Sequence, residues 1–513
     1  MTMQRFRLKD LGKVDRSKPL RFKFDGKFYE GYRGDTLASA LLANGIHLVG
    51  RSFKYHRPRG LLSAGAEEPN ALIQVGEGNS TDPNTRATQI ILRDGLTVTS
   101  QNRWPNLTFD LGYVNNLIHR LLPAGFYYKT FMWPASWWMR YEYWIRRAAG
   151  LGEAPKGPDP DRYEKNHAHC DVLIVGSGPA GLSAALAAGQ TGARVILTEE
   201  QDSFGGSLTY NTDCTIDGAP AFEWAERTVA ALSSMPEVIL LKATVTTGYY
   251  DHNYLTLLES TDNDHQTGSE YKTRQRLWKV RAKRVVLATG QIERPLIFRD
   301  NDRPGIMLSA SMRTYVNLYG VSPGNRVLLV TNNDDAYYTA LAIHQAGGFV
   351  RCVVDLRDNP KSQIITTLRK LGIDVRTGHA VIAAHGTRHV ASVDIAEYDT
   401  ENGAPTLDAV HMDCNLLAMS GGLNPVAHLH SQRKGRLIWD QRTSCYRPEN
   451  KSDEWVSIGS ANGTFQLGRA LSEATRITSS LVTKLAKENN LSLIHISEPT
   501  RPLYISYAVF CLK

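Results

Sequence analysis

CDVLIVGSGPAGLSAALAAGQTGARVILTEE, Cys170–Glu200, is the stretch that decides the fold. Its opening, Cys170–Val175, is a short apolar run of the kind that forms a buried parallel strand. Gly176-Ser177-Gly178-Pro179-Ala180-Gly181 follows at once, then small residues from Leu182 to Gly189 that predict a helix. A second apolar run, Ala193–Leu197, leads to Glu199-Glu200. Strand, G-x-G-x-x-G, helix, strand and acid, with Glu199 23 residues beyond Gly176, is the sequence form of a dinucleotide-binding βαβ unit. Gly176 permits the tight turn, Gly178 lets backbone amides approach a pyrophosphate, and Gly181 brings helix close to strand. The helix N-terminus presents its positive dipole end to phosphates, and a glutamate ending the second strand accepts from ribose hydroxyls.

Working downstream, three segments have the form seen in two-domain flavoprotein reductases. Phe204-Gly205-Gly206-Ser207-Leu208 resembles the loop that wraps the cofactor's ribose and phosphate. Val285-Val286-Leu287-Ala288-Thr289-Gly290, with Pro295 five residues later, resembles the A-T-G strand-turn that closes over the dinucleotide. Trp455–Ile458 runs into Gly459-Ser460-Ala461-Asn462-Gly463-Thr464 and a helix from Leu467, a late strand-turn-helix whose N-terminus points back at the same cofactor. Its return after an insertion implies one discontinuous domain. The insertion reads as a second unit: strand Arg326–Val330, helix Tyr337–Gln345, strand Phe349–Val354 ending in Asp355. Its turn, Thr331-Asn332-Asn333-Asp334-Asp335-Ala336, has no glycine, and two aspartates there repel a pyrophosphate. We expect a degenerate Rossmann-like domain without nicotinamide binding. There is then no second nucleotide site and no C-x-x-C for a stand-alone thioredoxin-reductase-type enzyme.

Upstream, LRFKFDGKFYEGY, residues 20–32, reads as two alternating strands joined by Asp25-Gly26, a dipeptide favoured in type I′ hairpins. Asp35 or Thr36 can cap a helix bearing Leu37, Leu41 and Leu42, closed by Gly45. Hairpin, helix and glycine resemble the start of a plant-type ferredoxin, whose next loop supplies thiolates to a [2Fe–2S] cluster. The corresponding loop here, His47–Ala64, has no cysteine, and none precedes Cys170. Residues 105–168, rich in Trp, Tyr and Pro with a helical stretch at Ser136–Ala149, read as a connector whose aromatics pack between domains.

Composition excludes several function classes. The chain carries a formal +8, and residues 1–60 hold fourteen Lys/Arg against five Asp/Glu. These alternate with strand-forming aromatics, which reads as a surface facing acidic partner chains rather than a nucleic-acid arm. Six scattered cysteines without a C-x-x-C argue against a zinc site, a redox dithiol or a disulfide framework. Met1–Lys18 lacks an apolar signal segment, and Phe131–Trp144 is broken by Pro134, Arg140 and Glu142, too short and polar to span a bilayer. A cytoplasmic protein is expected. His428 and His430 alternate about Leu429 and are expected on one strand face as structural residues; no catalytic residue and no metal ligand set stands out. The end of the chain, from Leu491, reads LSLIHISEPTR, PLY, ISYAVFCL and Lys513, and resembles a translated sequencing adapter, index and primer; the biological sequence is expected to end near Asn490.

Through most of residues 4–488 the chain resembles the alpha subunit of heterotetrameric sarcosine oxidase, most specifically at RGDTLASALLANGIHLVGRSFKYHRPRG, AGFYYKTFMWP and SANGTFQL. The resemblance implies an α/β chain: an FAD/NAD(P)-binding Rossmann-like two-domain reductase fold preceded by a cluster-less ferredoxin-like (β-grasp) domain. The implied boundaries are 1–104 for the ferredoxin-like domain, 105–168 for the connector, 169–305 and 421–490 for the dinucleotide domain, 306–420 for the degenerate insert and 491–513 for the foreign tail. It implies NAD in this chain, FAD and covalent FMN supplied with the beta subunit, and tetrahydrofolate in a domain beyond Asn490. It implies beta, gamma and delta partners, and oxidation of sarcosine to glycine on beta with transfer of the one-carbon unit to folate and reduction of oxygen to peroxide. NAD contacts fall on Gly176, Gly178, Ala180 and Gly181, on Glu199, Glu200 and Gln201, on Ser207, and on Gly459, Ser460, Phe465 and Leu467. Gln201 is neutral where the family often has arginine, and Val245 is placed by position alone. A related amine dehydrogenase subunit acting on N-methylglutamate, an opine or proline, and a non-catalytic cofactor-holding scaffold, are the alternatives.

Overall fold

The computed structural model describes residues 4–121, 133–148, 150–152, 154–261, 273–399 and 401–492. The expected foreign tail lies outside these residues from 493 onward, as do Ala124–Met132 of the aromatic segment; the last helix continues through Leu491 and Ser492.

The N-terminal hairpin pairs β1 (Asp15–Phe24) with β2 (Lys27–Arg33). Asp25 and Gly26 take φ of 47° and 82°, the double positive φ of a type I′ turn. Thr36 rather than Asp35 is the N-cap of α1 (Leu37–Ala43), in a reciprocal capping box with Ser39, and all seven helix residues are buried. The sheet is completed by β3 (Leu72–Val75), β4 (Asp82–Arg86) and β5 (Thr97–Ser100), in the order β2-β1-β5-β3-β4. β5 runs parallel to β1, the β-grasp arrangement that the hairpin and helix foreshadow.

The connector contains α2 (Trp138–Ala148). Most of the described aromatics there, expected to be packed between domains, instead face outward, with Trp133 84% and Trp144 66% exposed. The connector also ends earlier than expected. β6 runs Arg162–Val175, because pairing with the similarly long β11 (Thr273–Leu287) extends it eight residues upstream of Cys170, through a polar segment with no apolar run to betray it.

β6, α3 (Pro179–Gly189) and β7 (Val195–Thr198) form the βαβ unit. α4 (Ala221–Ser233) leads to β8 (Val238–Leu241), parallel to β7. The meander β9 (Thr244–Tyr250), β10 (Tyr254–Ser260) and β11 completes the path β8-β7-β6-β11-β10-β9. After the insertion, β20 (Trp455–Ser457) pairs in parallel with Val285–Leu287, on the edge of β11 beyond the end of β10. The dinucleotide domain is therefore discontinuous in sequence and continuous in its sheet.

The insert carries an all-parallel sheet of β12 (Ile306–Leu308), β13 (Arg326–Thr331), β14 (Phe349–Asp355), β15 (Val375–Thr377) and β19 (Leu416–Ser420), ordered β12-β19-β13-β14-β15. Helices α5 (Ser309–Asn317), α6 (Asp335–Gln345) and α7 (Gln363–Lys370) belong to it. A three-stranded antiparallel sheet, β16 (His379–Gly386), β17 (Val390–Asp399) and β18 (Ala404–Asp413), packs its apolar face on this unit through Ala384, Val393, Ile395 and Met412. One apolar core joins the ferredoxin-like domain to the insert, running from Leu37, Leu41 and Ile73 to Met312, Tyr315 and Val327.

Candidate dinucleotide site

The glycine turn is built by exclusion. Gly176 has φ +98°, and a Cβ there would lie 2.3 Å from the Ala288 carbonyl oxygen. A Cβ on Gly181 would lie 1.9 Å from Gly176 O, so helix and strand meet as closely as backbone allows. Gly178 differs: a Cβ there would meet nothing within 4 Å. Its backbone faces open space at the start of α3, where no side chain caps the helix. The Gly-Gly loop closes over this point. Gly205 N–H donates to Ser177 O at 3.1 Å, and a Cβ on Gly206 would come within 2.8 Å of Gly178 Cα.

Glu199 and Glu200 divide their roles. Glu199 is buried and turns inward: Oε2 accepts from Ser177 N (3.0 Å) and Ser177 Oγ (2.6 Å), and Oε1 accepts from Gln201 N (3.0 Å). Its carboxylate thus holds the glycine turn against the end of β7. Glu200 points outward and is exposed. Crowding by the surrounding protein, then the Glu199 and Glu67 carboxylates, push its carboxyl above the ordinary range, with Gln201 and Arg86 opposing. Glu67 and Arg86 come from the ferredoxin-like domain, so that domain borders the site.

Val245 is brought in by the backbone. Ala243 N donates to Gln201 O (2.9 Å) and Thr244 N to Glu199 O (2.7 Å), so Val245, exposed on β9, follows directly after the acidic end of β7. Ser207 lies half-buried in the Gly-Gly loop. From the other end of the chain, Gly459 adopts φ +61° and presses on Ala180, where a Cβ would stand 2.6 Å from Ala180 Cβ. Ser460 and Phe465 lie half-buried in the same turn, and Leu467 opens α8 (Leu467–Ser492). α8 packs along α3, with Ser183 Oγ 2.8 Å from Thr475 Oγ1. The A-T-G turn is fixed by Thr289 Oγ1 donating to Val426 O at 2.6 Å. The residues to which the resemblance assigns cofactor contacts therefore lie on the glycine turn, on the segments bonded to it, or on the late turn and helix packed against it.

That architecture agrees with comparisons to known proteins. A family model described as FAD dependent oxidoreductase matches residues 171–289, and one described as 2Fe-2S iron-sulfur cluster binding domain matches residues 17–103. The chain is 44% identical over 491 residues to sarcosine oxidase subunit alpha of Rhizobium meliloti (strain 1021), covering 94% of this chain and 48% of that protein. It is 36% identical to the subunit of the same name from Corynebacterium sp. (strain P-1), covering 92% of this chain and 44% of that protein. This chain is a homologue of the sarcosine oxidase alpha subunits. It spans about half the length of these curated relatives. The crystal structure of L-proline dehydrogenase from P. horikoshii shares the fold, with TM-score 0.63 at 20% identity over 98% of this chain and 82% of that one.

The iron-sulfur description does not fit the residues present. Residues 17–103 contain no cysteine, and the loop after α1 is held by other means. Glu68, fully buried, accepts from the amides of Leu62 (2.8 Å), Ser63 (2.7 Å), Asn70 (2.8 Å) and Ala71 (3.2 Å). Arg57 and Arg59 in the same loop reach Asp300 and Asp302 of the neighbouring domain. A carboxylate and ion pairs hold this loop in the absence of thiolates.

In the insert, the acids of the glycine-free turn are engaged. Arg313 donates to both Asp335 carboxylate oxygens at 3.0 and 2.8 Å, and Arg357 donates to Asp334 (2.8 Å) and Asp355 (2.7 Å). The histidine pair differs from the sequence expectation. His428–Gln432 is a short helical turn, closed by Ser431 N–Ala427 O at 2.9 Å, and not a strand. His430 is buried while His428 is exposed, and burial pushes the His430 imidazole below its usual range. Two residues escaped the sequence reading. Ser177 was hidden as a variable position of the glycine motif. Glu473, which accepts from Gly459 N (3.1 Å) and Asn462 Nδ2 (2.6 Å), sits a full helix turn beyond any motif.

Proposed function

We propose that this chain is the NAD-holding N-terminal part of the alpha subunit of a cytoplasmic heterotetrameric sarcosine oxidase. The observation that carries this reading is the contrast within the glycine turn. Gly176, Gly181, Gly206 and Gly459 are packed against protein, and Gly178 alone among them faces open space. That opening is where a pyrophosphate fits, beneath the amides at the start of α3. In this reading Ala180, Ser207, Ser460, Phe465 and Leu467 contact the cofactor, Glu200 and Gln201 with Val245 take the adenosine ribose, and Glu199 holds the turn in shape. A bound NAD supplies a hydride-accepting nicotinamide; the residues here bind and orient it.

The substrate reading rests on the relatives. Sarcosine is oxidised to glycine on the beta subunit, which carries FAD, with covalent FMN at its boundary with alpha. The one-carbon unit passes to tetrahydrofolate in a domain beyond Asn490, and oxygen is reduced to hydrogen peroxide. Gamma and delta subunits complete the complex. The exposed aromatics of the connector support assembly, because a large apolar surface is rarely left to water. The Asp334, Asp335 and Asp355 ion pairs support an insert that binds no nucleotide.

The test is NAD retained by the purified chain. Gly178→Val places a branched side chain where the pyrophosphate fits, and NAD content is expected to fall at least tenfold with the unfolding midpoint of the NAD-free protein unchanged. Equal NAD content in the variant places the cofactor elsewhere. The chain alone, with sarcosine and added FAD, is expected to produce no peroxide. Turnover of N-methylglutamate, an opine or proline in preference to sarcosine by the assembled complex selects the amine dehydrogenase alternative.

A further inference from the structure

The antiparallel sheet of the insert brings together three side chains that lie far apart in sequence. Asp394, on the central strand β17, stands opposite His411 of β18. On the other side it stands opposite Ala383 of β16, which puts His385, two residues on, at a diagonal position of the same face. The carboxylate lies between two imidazoles: His385 Nε2 is 2.6 Å from Oδ2, and His411 Nδ1 is 2.8 Å from Oδ1. One ligand atom from each residue lies within 4.8 Å of the others. The neighbours Val393, Ile395 and Met412 point the opposite way, into the core, so this face of the sheet is fixed. All three side chains are accessible, at 44%, 24% and 58% for His385, Asp394 and His411.

We propose that His385, Asp394 and His411 form a binding site for a divalent transition-metal ion of the Zn2+ class. Two imidazole nitrogens and one carboxylate oxygen are the donor set that borderline cations take. Mg2+ and Ca2+ prefer oxygen-only shells. Zn–N and Zn–O bonds of about 2.0–2.2 Å place tetrahedral ligand atoms about 3.4 Å apart. The two imidazole–carboxylate pairs are closer than this, at 2.6 and 2.8 Å on different oxygens. All three ligand atoms lie within 4.8 Å of one another, so an entering ion replaces two hydrogen bonds with three coordinate bonds after side-chain shifts of about 1 Å. Exposed side chains on a rigid sheet can make that adjustment. Three protein ligands leave the fourth position to water or to an exogenous anion. The ion would also clip three adjacent strands together, and a ligand bound only by the folded state stabilises it.

The experiment uses the full 513-residue chain, stripped with chelator and titrated with Zn2+ by calorimetry and equilibrium dialysis. Wild type is expected to bind one equivalent more than the His385→Ala/His411→Ala double variant. Asp394→Asn is expected to weaken that equivalent at least tenfold. The unfolding midpoint should rise with Zn2+ in wild type and remain constant in the double variant. Co2+ should give ligand-field bands of a four- or five-coordinate site in wild type alone. NAD content and metal-free unfolding midpoint report that the variants are folded. Equal Zn2+ stoichiometry in wild type and double variant overturns the proposal and leaves a hydrogen-bonded His–Asp–His array.

Discussion

Gly178 and Glu293 show how one residue's surroundings set its part. Gly178 is needed for what it leaves empty; Glu293 is defined by what surrounds it. Glu293 is 8% exposed, its Oε2 accepts from Ala310 N at 2.8 Å, and its Oε1 has no partner among the described residues. Burial pushes its carboxyl up to about 8, from an ordinary 4.5. Between pH 4.5 and 8 the folded chain therefore keeps a proton that the unfolded chain has released. Stability should fall as pH rises through that window, by up to about 1.4 kcal/mol per pH unit, and level off above it. Glu293→Gln should flatten this slope in urea unfolding followed from pH 5 to 8. An unchanged slope would show that Glu293 ionises normally.

At the scale of elements, the loop after α1 shows how a fold survives loss of the group that organises it elsewhere. Where ferredoxins gather thiolates, this chain gathers four backbone amides on Glu68. A carboxylate accepts all four; an amide side chain offers one oxygen and sets its own NH2 against the remaining donors. Glu68→Gln should cost about 3 kcal/mol, measured by denaturant unfolding, since hydrogen bonds to a buried charge exceed ordinary ones and orphaned amides add a penalty. The purified chain should also contain no stoichiometric iron or acid-labile sulfide, checked by metal analysis, because residues 17–103 offer no cysteine. Iron with equimolar sulfide would refute the cluster-less reading.

Across the whole molecule, the ferredoxin-like domain is tied to the rest by apolar packing and by charge. Tyr315 of α5 is buried in the shared core and donates to Ser63 O at 2.8 Å, and Arg7 bridges Asp35 and the Tyr319 carbonyl. Asp302 receives both Arg57 and Arg59. These pairs are partly exposed, so a double-mutant cycle on Arg57→Ala and Asp302→Ala should give a coupling of about 1 kcal/mol, smaller at high salt. A coupling indistinguishable from zero at low salt would show that this ion pair contributes nothing to the domain contact. The basic N-terminal region thus spends part of its charge within the chain, on acids that lie about 240 residues away in sequence.

Local pattern alone determined the βαβ unit, the Asp25-Gly26 hairpin, the capped helix and the return of β20, because each depends on spacing, periodicity or a backbone conformation that only certain residues adopt. Glu199 was legible as an acid at the end of β7, but its inward turn to Ser177 was not, since that choice belongs to the packed loop. The upstream half of β6 was illegible because its polar residues Arg162–His169 become strand only by pairing with β11. His428 and His430 alternate as a strand would, yet the chain turns there as a helix. The placement of Glu67 and Arg86 beside Glu200, and of His385, Asp394 and His411 on one face, came from domain packing and strand register. Sequence spacing fixes what neighbours along the chain can do; which distant side chains meet is settled only when sheets pair and domains close on a common core.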